Sequence, residues 1–182
     1  MEEKRVIRTI KKAMPAVVSI AIAKHLKDLE KELPPDMYPF LPKSPDKKSV
    51  QIPSDYADQR GMVEIGGGSG FIVDPKGLVL TNKHIVSEKN AEYTVIMNDG
   101  KRFPAEILSR DPINDVAIIK IPGEKLPTLE LGDASNLELG EGVIAIGNAL
   151  GIFRNTVSLG IVSGLSRYVT AQTEPDAPYQ EM

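Results

Sequence analysis

The 182-residue sequence contains no cysteine and no tryptophan, and it has only two histidines. Without cysteine the chain forms no disulfide, offers no thiolate to a metal and has no cysteine nucleophile. Aromatic residues make up only 5 % of the chain, so aliphatic side chains must build most of its core. Branched aliphatic residues favour β-strands. The composition therefore predicts a β-rich protein that is long enough to bury a sizeable core.

The sequence also lacks a strong charge excess and any long apolar run. Its formal net charge is −3, and a nucleic-acid-binding protein usually shows a clustered basic face. No apolar run approaches the roughly 20 residues that a membrane-spanning helix needs, and the basic amino terminus does not lead into a signal-peptide core. We therefore predict no nucleic-acid partner. The charged ends are interpreted as solvated surface, with a membrane or partner contact as the alternative.

The first 60 residues contain a helix pattern, a strand pattern and a proline-rich stretch. Apolar residues at helical spacing predict an amphipathic helix over Glu2 to Ala13, within an N-terminal segment of residues 1–14 that Pro15 ends. Its apolar stripe either packs on the chain's own barrel or contacts another subunit. Val17 to Ala23 reads as a buried strand. Residues 33–60 contain six prolines, which predicts a loop insertion without regular structure that is either inert or regulatory.

From residue 71 onwards, short apolar runs alternate regularly with turn residues, a pattern typical of an all-β barrel or sandwich. We predict a first β-barrel over residues 15–121, a turn-rich linker over 122–140 and the start of a second barrel over 141–182. The predicted strands after the insertion are Phe71 to Val73, Leu78 to Thr81, Tyr93 to Met97, Arg102 to Ser109, Val116 to Ile121, Val143 to Ile146 and Thr156 to Leu165.

Two residues suggest acid–base chemistry. His84 closes one strand-like run and Asp115 opens another, so a barrel could hold the imidazole against the carboxylate. A serine nucleophile needs an imidazole to take its proton, and that imidazole needs a carboxylate to fix its tautomer. The alternative for Asp115 is that it caps the turn that begins at Asp111-Pro112. His25 lies among charged residues and is interpreted as a surface residue.

The sequence contains no convincing nucleophile. Ser69 and Ser163 have glycine neighbours, but neither matches the nucleophile elbow Gly-x-Ser-x-Gly. The glycines before Ser69 lack the Gly-Lys-Ser/Thr ending of a phosphate-binding loop, and close backbone approach explains them. One credible histidine and no cysteine also make a poor metal site. We therefore predict no cofactor and no metal.

Six blocks of the chain carry a family resemblance: Met14 to Ile20, Gly68 to Val73, Leu80 to Val86, Asp111 to Lys120, Ala145 to Gly151 and Thr156 to Gly164. In this order they resemble the HtrA/Deg family of serine proteases. In that family the histidine and aspartate of the matching blocks are the general base and its orienter, which correspond to His84 and Asp115. The family's Gly-Asn-Ser-Gly-Gly nucleophile segment does not occur in the 182 residues.

The resemblance implies a trypsin-like double β-barrel, with the first barrel complete and the second only partial. It also implies a serine endopeptidase in protein quality control that acts on misfolded proteins outside the cytoplasm, in the periplasm or cell envelope, commonly as a trimer. The chain is then an N-terminal part of the protease domain, inactive alone unless a complementary C-terminal part supplies the serine. The alternative is a non-catalytic binding fragment or pseudo-protease that acts through protein–protein contacts.

Overall fold

The computed structural model describes residues 3–33, 51–149, 153–165, 170–171 and 180–181. Two short helices lie near the amino terminus, and the remaining regular structure is almost entirely β. The helices are α1 (Glu3–Ala13) and α2 (Leu26–Glu32). The strands are β1 (Val17–His25), β2 (Met62–Asp74), β3 (Leu78–Thr81), β4 (Ala91–Ile96), β5 (Arg102–Arg110), β6 (Ala117–Lys120), β7 (Gly142–Ala149), β8 (Phe153–Ile161), β9 (Thr170–Ala171) and β10 (Gln180–Glu181).

The first six strands form a closed antiparallel barrel in the order β1-β2-β3-β6-β5-β4. Pairing of β1 with both β2 and β4 closes the barrel, so no strand of the barrel is left with a free edge. The short connection Pro75-Lys76-Gly77 joins β2 to β3, and Gly77 has a φ of 95° that favours glycine. The predicted all-β class, with a closed first barrel, is confirmed.

Branched aliphatic side chains fill the barrel, as the composition requires. They alternate along the strands, so that one face of each strand points inward. The buried cluster includes Val18, Ile20, Ile72, Val79, Val86, Val95, Ile119 and Ile121.

Strand β2 is longer than the sequence pattern indicated. A strand was predicted only from Phe71, but β2 begins at Met62 and includes the glycines of residues 66–70. Glycine is a poor strand former, yet here the barrel needs it. A Cβ on Gly67 would lie 2.6 Å from the carbonyl oxygen of Ile20, and one on Gly70 would lie 2.8 Å from that of Leu80. Close backbone approach in the barrel therefore outweighs the low strand propensity.

The N-terminal helix ends at Ala13 as predicted, and its predicted first residue, Glu2, lies outside the described residues. Pro15 lies in the 3₁₀ turn that follows the helix, Met14–Ala16. Val6 is buried and α1 contacts β7, so this chain covers part of the apolar stripe itself. Ile7 on the same helix remains exposed.

The segment after β1 is more ordered than the sequence indicated. The charged stretch after β1 forms α2, and the nitrogen Nδ1 of His25 accepts a hydrogen bond from the Lys27 amide at 3.3 Å. The predicted insertion over residues 33–60 is wrong in one detail, because Ser54–Tyr56 form a 3₁₀ turn. Most of that insertion, residues 34–50, lies outside the described residues.

Beyond the barrel, β7 and β8 form a separate antiparallel pair, as do β9 and β10. Strand β8 begins at Phe153 and ends at Ile161, so the predicted strand Thr156 to Leu165 was shifted towards the carboxyl terminus. Residues 122–140 contain no helix or strand, and they follow the barrel surface through a hydrogen bond from the Leu129 amide to the Ile72 carbonyl, at 2.8 Å. The partial second sheet was expected.

Candidate functional site

His84 begins a 3₁₀ turn, His84–Val86, that follows β3. The prediction that His84 closes a strand is therefore wrong in detail, because β3 ends at Thr81. The two residues after His84 fix the turn on the barrel. Val86 is fully buried in the core, and Ile85 fills the space beside Gly68, where a Cβ would lie 2.5 Å from the Ile85 Cδ1 atom. The backbone of His84 is thus held by its neighbours in sequence.

Asp115 lies two residues before β6, at the end of a compact turn that Asp111 organises. The Asp111 carboxylate accepts hydrogen bonds from the amides of Ile113, at 2.8 Å, and Asn114, at 2.6 Å. The Asp111 amide donates to the Val116 carbonyl, at 2.8 Å. Capping this turn is therefore the role of Asp111 and not of Asp115, whose carboxylate is left to face His84.

The two predicted site residues are in direct contact. The distance from His84 Nδ1 to Asp115 Oδ2 is 2.7 Å, and the His84 amide donates to Asp115 Oδ1 at 2.9 Å. The side-chain amide of Asn82 donates to Asp115 Oδ2 at 3.0 Å and to the Asp115 carbonyl at 3.1 Å. Because an ionised carboxylate can only accept, Nδ1 is the donor in this contact, and in the neutral tautomer with its proton on Nδ1 the lone pair is on Nε2.

The environment of Asp115 keeps its carboxylate ionised. Partial burial raises the pKa of this carboxyl group, but hydrogen bonds from the backbone and ring of His84 and from Asn82 outweigh that effect, and the pKa lies below its usual value. The Asp115 side chain is 18 % exposed and that of His84 is 52 % exposed. The carboxylate is therefore sheltered, while the imidazole is accessible from solvent.

A cleft of about 830 Å³ opens beside the imidazole. Its walls are formed by residues that follow His84, by β4, by the end of β5 and by Asp115. The lining residues include Ser87, Glu88, Tyr93, Ile107 and Arg110. Among the described residues, the ring nitrogen Nε2 makes no hydrogen bond. A reacting group in this cleft could therefore reach a nitrogen that is ready to accept a proton.

The other residues considered from the sequence lie elsewhere. Ser69 is inside β2, where its carbonyl accepts a hydrogen bond from the Thr81 hydroxyl at 2.8 Å, and Ser163 follows β8. The hydroxyl of Ser87, close to His84 in sequence, donates to the His84 carbonyl at 2.8 Å. His25 caps α2. Within the part of the chain that the structure describes, no three acidic or histidine side chains converge as metal ligands.

Sequence reasoning assigned no role to Asn82, which joins the aspartate to the end of β3. The only feature in the sequence that could have indicated this role is the position of Asn82, two residues before His84. At the end of β3 this position brings the side-chain amide near the Asp115 carboxylate. A closed barrel that holds a histidine against an aspartate in this arrangement is typical of trypsin-like peptidases.

Comparison with known proteins agrees with this class. Residues 68–181 match the family model described as trypsin-like peptidase domain. The "putative serine protease HhoA" of Synechocystis sp. is 42 % identical over 113 residues, which are 61 % of this chain and 28 % of that protein. The "probable periplasmic serine endoprotease DegP-like" of Pseudomonas putida is 35 % identical over 173 residues, which are 90 % of this chain and 35 % of that protein.

The chain therefore belongs to the trypsin-like peptidases, and within them to the HtrA/Deg family. It spans about a third of the length of the curated relatives it matches. Among the described residues, every helix is too short or too polar to span a bilayer.

Proposed function

We propose that this chain carries the general base and the orienting carboxylate of a serine endopeptidase of the HtrA/Deg type, with His84 as base and Asp115 as orienter. The observation that carries this proposal is the double contact of Asp115 with the ring and the backbone of His84, at 2.7 and 2.9 Å. Two contacts to one carboxylate fix both the tautomer and the direction of the imidazole. The accessible Nε2 is then available to a serine hydroxyl.

The proposed reaction is peptide hydrolysis through an acyl-enzyme. The serine oxygen attacks the scissile carbonyl while His84 Nε2 takes the hydroxyl proton, and Asp115 stabilises the imidazolium that forms. His84 then gives the proton to the leaving amine, which breaks the C–N bond and leaves the acyl-enzyme. Water, deprotonated by the same nitrogen, releases the acid and regenerates the serine. The proposal involves no cofactor.

The serine itself is proposed to come from a polypeptide segment outside the 182 residues. None of them forms a Gly-Asn-Ser-Gly-Gly segment, and loss of the nucleophile disables a triad as a unit. The 182-residue chain alone should therefore not hydrolyse protein. Incubation with a serine-directed phosphonate, followed by intact mass measurement under denaturing conditions, should show no labelled chain. A labelled serine together with cleavage that His84→Ala abolishes would contradict this part.

The roles of His84 and Asp115 are tested on the product of the complete coding sequence that contains this chain, with an unfolded protein as substrate. We expect kcat/KM to fall by about 10⁴-fold or more in His84→Ala and by about 10⁴-fold in Asp115→Asn. The matched control is His25→Ala, which removes the only other histidine and should leave kcat/KM nearly unchanged. Activity that survives His84→Ala would contradict the assignment.

Exposed apolar side chains on β7 and β8 favour a second candidate function, that of a binding fragment with no catalytic activity of its own. Val143, Leu159 and Ile161 are exposed on this two-stranded sheet, and exposed apolar strands recruit partners. The partner would be a complementary C-terminal part of the protease domain or another protein. Masses of all polypeptides that co-purify with the chain separate the two candidates: a second chain with a labelled serine supports the protease.

Cellular location and assembly are further parts of the proposal. The Pseudomonas putida relative is named periplasmic, which supports an extracytoplasmic location in the periplasm or cell envelope. Misfolded proteins as substrates and a homotrimeric assembly are predictions from the family resemblance. Sedimentation equilibrium gives the number of subunits, and cell fractionation gives the location.

A further inference from the structure

The turn that carries His84 is held by two cationic residues that the proposed reaction does not use. Residues 84–88, which follow β3, are here named the base turn. Its central carbonyl, that of Val86, accepts two hydrogen bonds from the Arg110 guanidinium, from Nε at 2.9 Å and from Nη2 at 2.7 Å. Two donors on one rigid plane fix both the position and the direction of this carbonyl.

Arg110 connects the base turn to the segment that carries Asp115. It is the last residue of β5 and is followed at once by the turn that Asp111 organises and that ends at Asp115. The same short segment therefore bears both the carboxylate that contacts the His84 ring and the guanidinium that holds the base turn. A shift of this segment moves both contacts together, which preserves the distance between Nδ1 and the carboxylate.

Lys24 holds the other end of the base turn. Its side chain, at the end of β1, is only 1 % exposed, and its ammonium donates hydrogen bonds to Glu88 and to Glu32 of α2. Burial lowers the pKa of this ammonium, but the bonds and charges of the two carboxylates outweigh burial and raise it above its usual value. Lys24 is therefore charged in the folded chain, and a buried cation is costly unless it is paired in this way.

Glu88 is fixed at its backbone as well as at its side chain. The Tyr93 hydroxyl donates to the Glu88 carbonyl at 2.9 Å, and Tyr93 is buried against the barrel. The base turn thus has one rigid anchor in its middle and one at its end. A turn held at both points leaves its first residue, His84, little freedom to move away from Asp115.

We propose that Arg110 and Lys24 are positioning residues for His84: through the Val86 carbonyl and the Glu88 carboxylate they fix the base turn relative to Asp115. The inference rests on the proposed function, in which His84 is the base. Neither residue takes part in a step of the proposed reaction. Each acts through the base turn, so its loss should weaken the contact between His84 and Asp115 while the barrel remains folded.

The test measures that contact directly in the 182-residue chain, without any need for a nucleophile. In a sample with isotope-labelled histidine, nuclear magnetic resonance follows the proton on His84 Nδ1 and its exchange with water. Only one other histidine is present, and its Nδ1 accepts a hydrogen bond instead of donating one. The Nδ1 proton that disappears in Asp115→Asn is therefore the proton of His84.

Three variants should loosen the contact. Arg110→Lys keeps the charge but loses the planar pair of donors. Lys24→Met removes the ammonium that holds Glu88. Glu88→Gln removes the carboxylate charge and so weakens the attraction between Lys24 and the base turn. In each we expect the Nδ1 proton to exchange about tenfold faster, the factor that the loss of one charged hydrogen bond produces. Glu88→Gln changes a partly exposed carboxylate, so it tests the proposal even if Lys24→Met unfolds.

Two matched controls make the same chemical changes away from the base turn. Arg102→Lys alters an exposed arginine at the opposite end of β5. Glu32→Gln alters the second carboxylate on Lys24, whose exposure of 46 % resembles the 42 % of Glu88. Both should leave exchange of the Nδ1 proton as in the parent chain. Amide spectra of the core strands should be unchanged in all five variants.

The outcomes separate the two proposals. Faster exchange in Arg110→Lys and Glu88→Gln, but not in Arg102→Lys and Glu32→Gln, supports the positioning role. If the parent chain shows the Asp115-dependent proton and all variants exchange alike, the positioning role is overturned and the base assignment stands. If the parent chain shows no Asp115-dependent proton, the pairing of base and orienter fails, and the positioning role fails with it.

Discussion

The closed barrel and the sheet of β7 and β8 are built from similar aliphatic residues, but they bury them very differently. In the barrel, Ile72 and Ile119 are 0 % exposed, whereas Leu159 and Ile161 of β8 are each 62 % exposed. Each barrel strand pairs with two neighbours, while β7 and β8 pair only with each other among the described residues. Pairing of a strand on both sides therefore accompanies full burial of its inward side chains here, whereas the two-stranded sheet leaves large aliphatic side chains exposed.

The same difference separates the candidate site from the rest of the chain. His84 lies in the connection from β3 to β4, and Asp115 lies in the connection from β5 to β6. Both connections begin and end on barrel strands. The contact of the imidazole with the carboxylate is therefore formed by the part of the molecule whose strands are fully paired.

The largest expected effect is a loss of stability on truncation of a side chain inside the closed barrel. Ile119→Ala removes a fully buried side chain of β6, and we expect the free energy of unfolding to fall by about 3 kcal/mol or more, because a cavity remains in a packed core. Ile161→Ala makes the identical change at an exposed position of β8 and should cost about 0.5 kcal/mol or less. Urea unfolding of both variants measures the difference. Equal losses would show that closure does not govern burial energy in this chain.

An intermediate effect is expected at the glycine beneath the base turn. Gly68→Ala places a Cβ at 2.5 Å from Ile85 Cδ1 and 2.7 Å from Ile85 Cγ1, so the side chain next to His84 must move. We expect a loss of about 1–3 kcal/mol, the usual cost of overpacking. The control is Gly160→Ala in β8, where the nearest atom, Val143 Cγ2, is 4.0 Å away.

A second substitution tests whether the cost has this cause. Ile85→Ala removes the atoms that the new methyl group meets, so Gly68→Ala should cost much less in the Ile85→Ala background than in the parent chain. Denaturant unfolding of the four proteins gives the coupling energy. Additive losses would show that the strain at Gly68 does not involve Ile85.

Most barrel strands were predictable because short apolar runs alternate with turn residues along the sequence. Leu78 to Thr81 was predicted without error, and the strands of β4, β5 and β6 within two residues at each end. The first half of β2 was missed because strand propensity argues against the glycines of residues 66–70. Only the barrel shows that Gly67 must approach the Ile20 carbonyl. Tertiary contact outweighs local preference at that point.

The site could also be predicted only in part from the sequence. His84 and Asp115 lie in sequence blocks that predict their roles, whereas the residues that hold them in place carry no such signal. Lys24 lies one residue beyond the predicted strand Val17 to Ala23, and its charge favours the surface, yet it belongs to β1 and is buried. Its two carboxylate partners lie eight and 64 residues away in the sequence. Such pairing cannot be derived from local pattern.

The smallest expected effect is on the acid dependence of stability. It comes from Asp115, in the connection between the barrel strands β5 and β6. Hydrogen bonds in the folded chain lower the pKa of the Asp115 carboxyl below its unfolded value, which is about 3.9 for aspartate. The folded state then binds this proton less readily than the unfolded state does. Asp115 therefore contributes stability that is fully present above about pH 4 and is lost as the pH falls through the lower folded pKa.

The difference between the parent chain and Asp115→Asn isolates this contribution, because the other carboxyl groups titrate in both proteins. Urea unfolding at a series of pH values from neutral down to about pH 3 should show a difference in unfolding free energy that is constant near neutrality and shrinks below about pH 4. The effect should be small, since Asp115 lies at the rim and not in the core. A difference that stays constant down to the lowest pH would mean that the Asp115 carboxylate gains nothing from the folded barrel, and that its contacts with His84 do not favour its charged form.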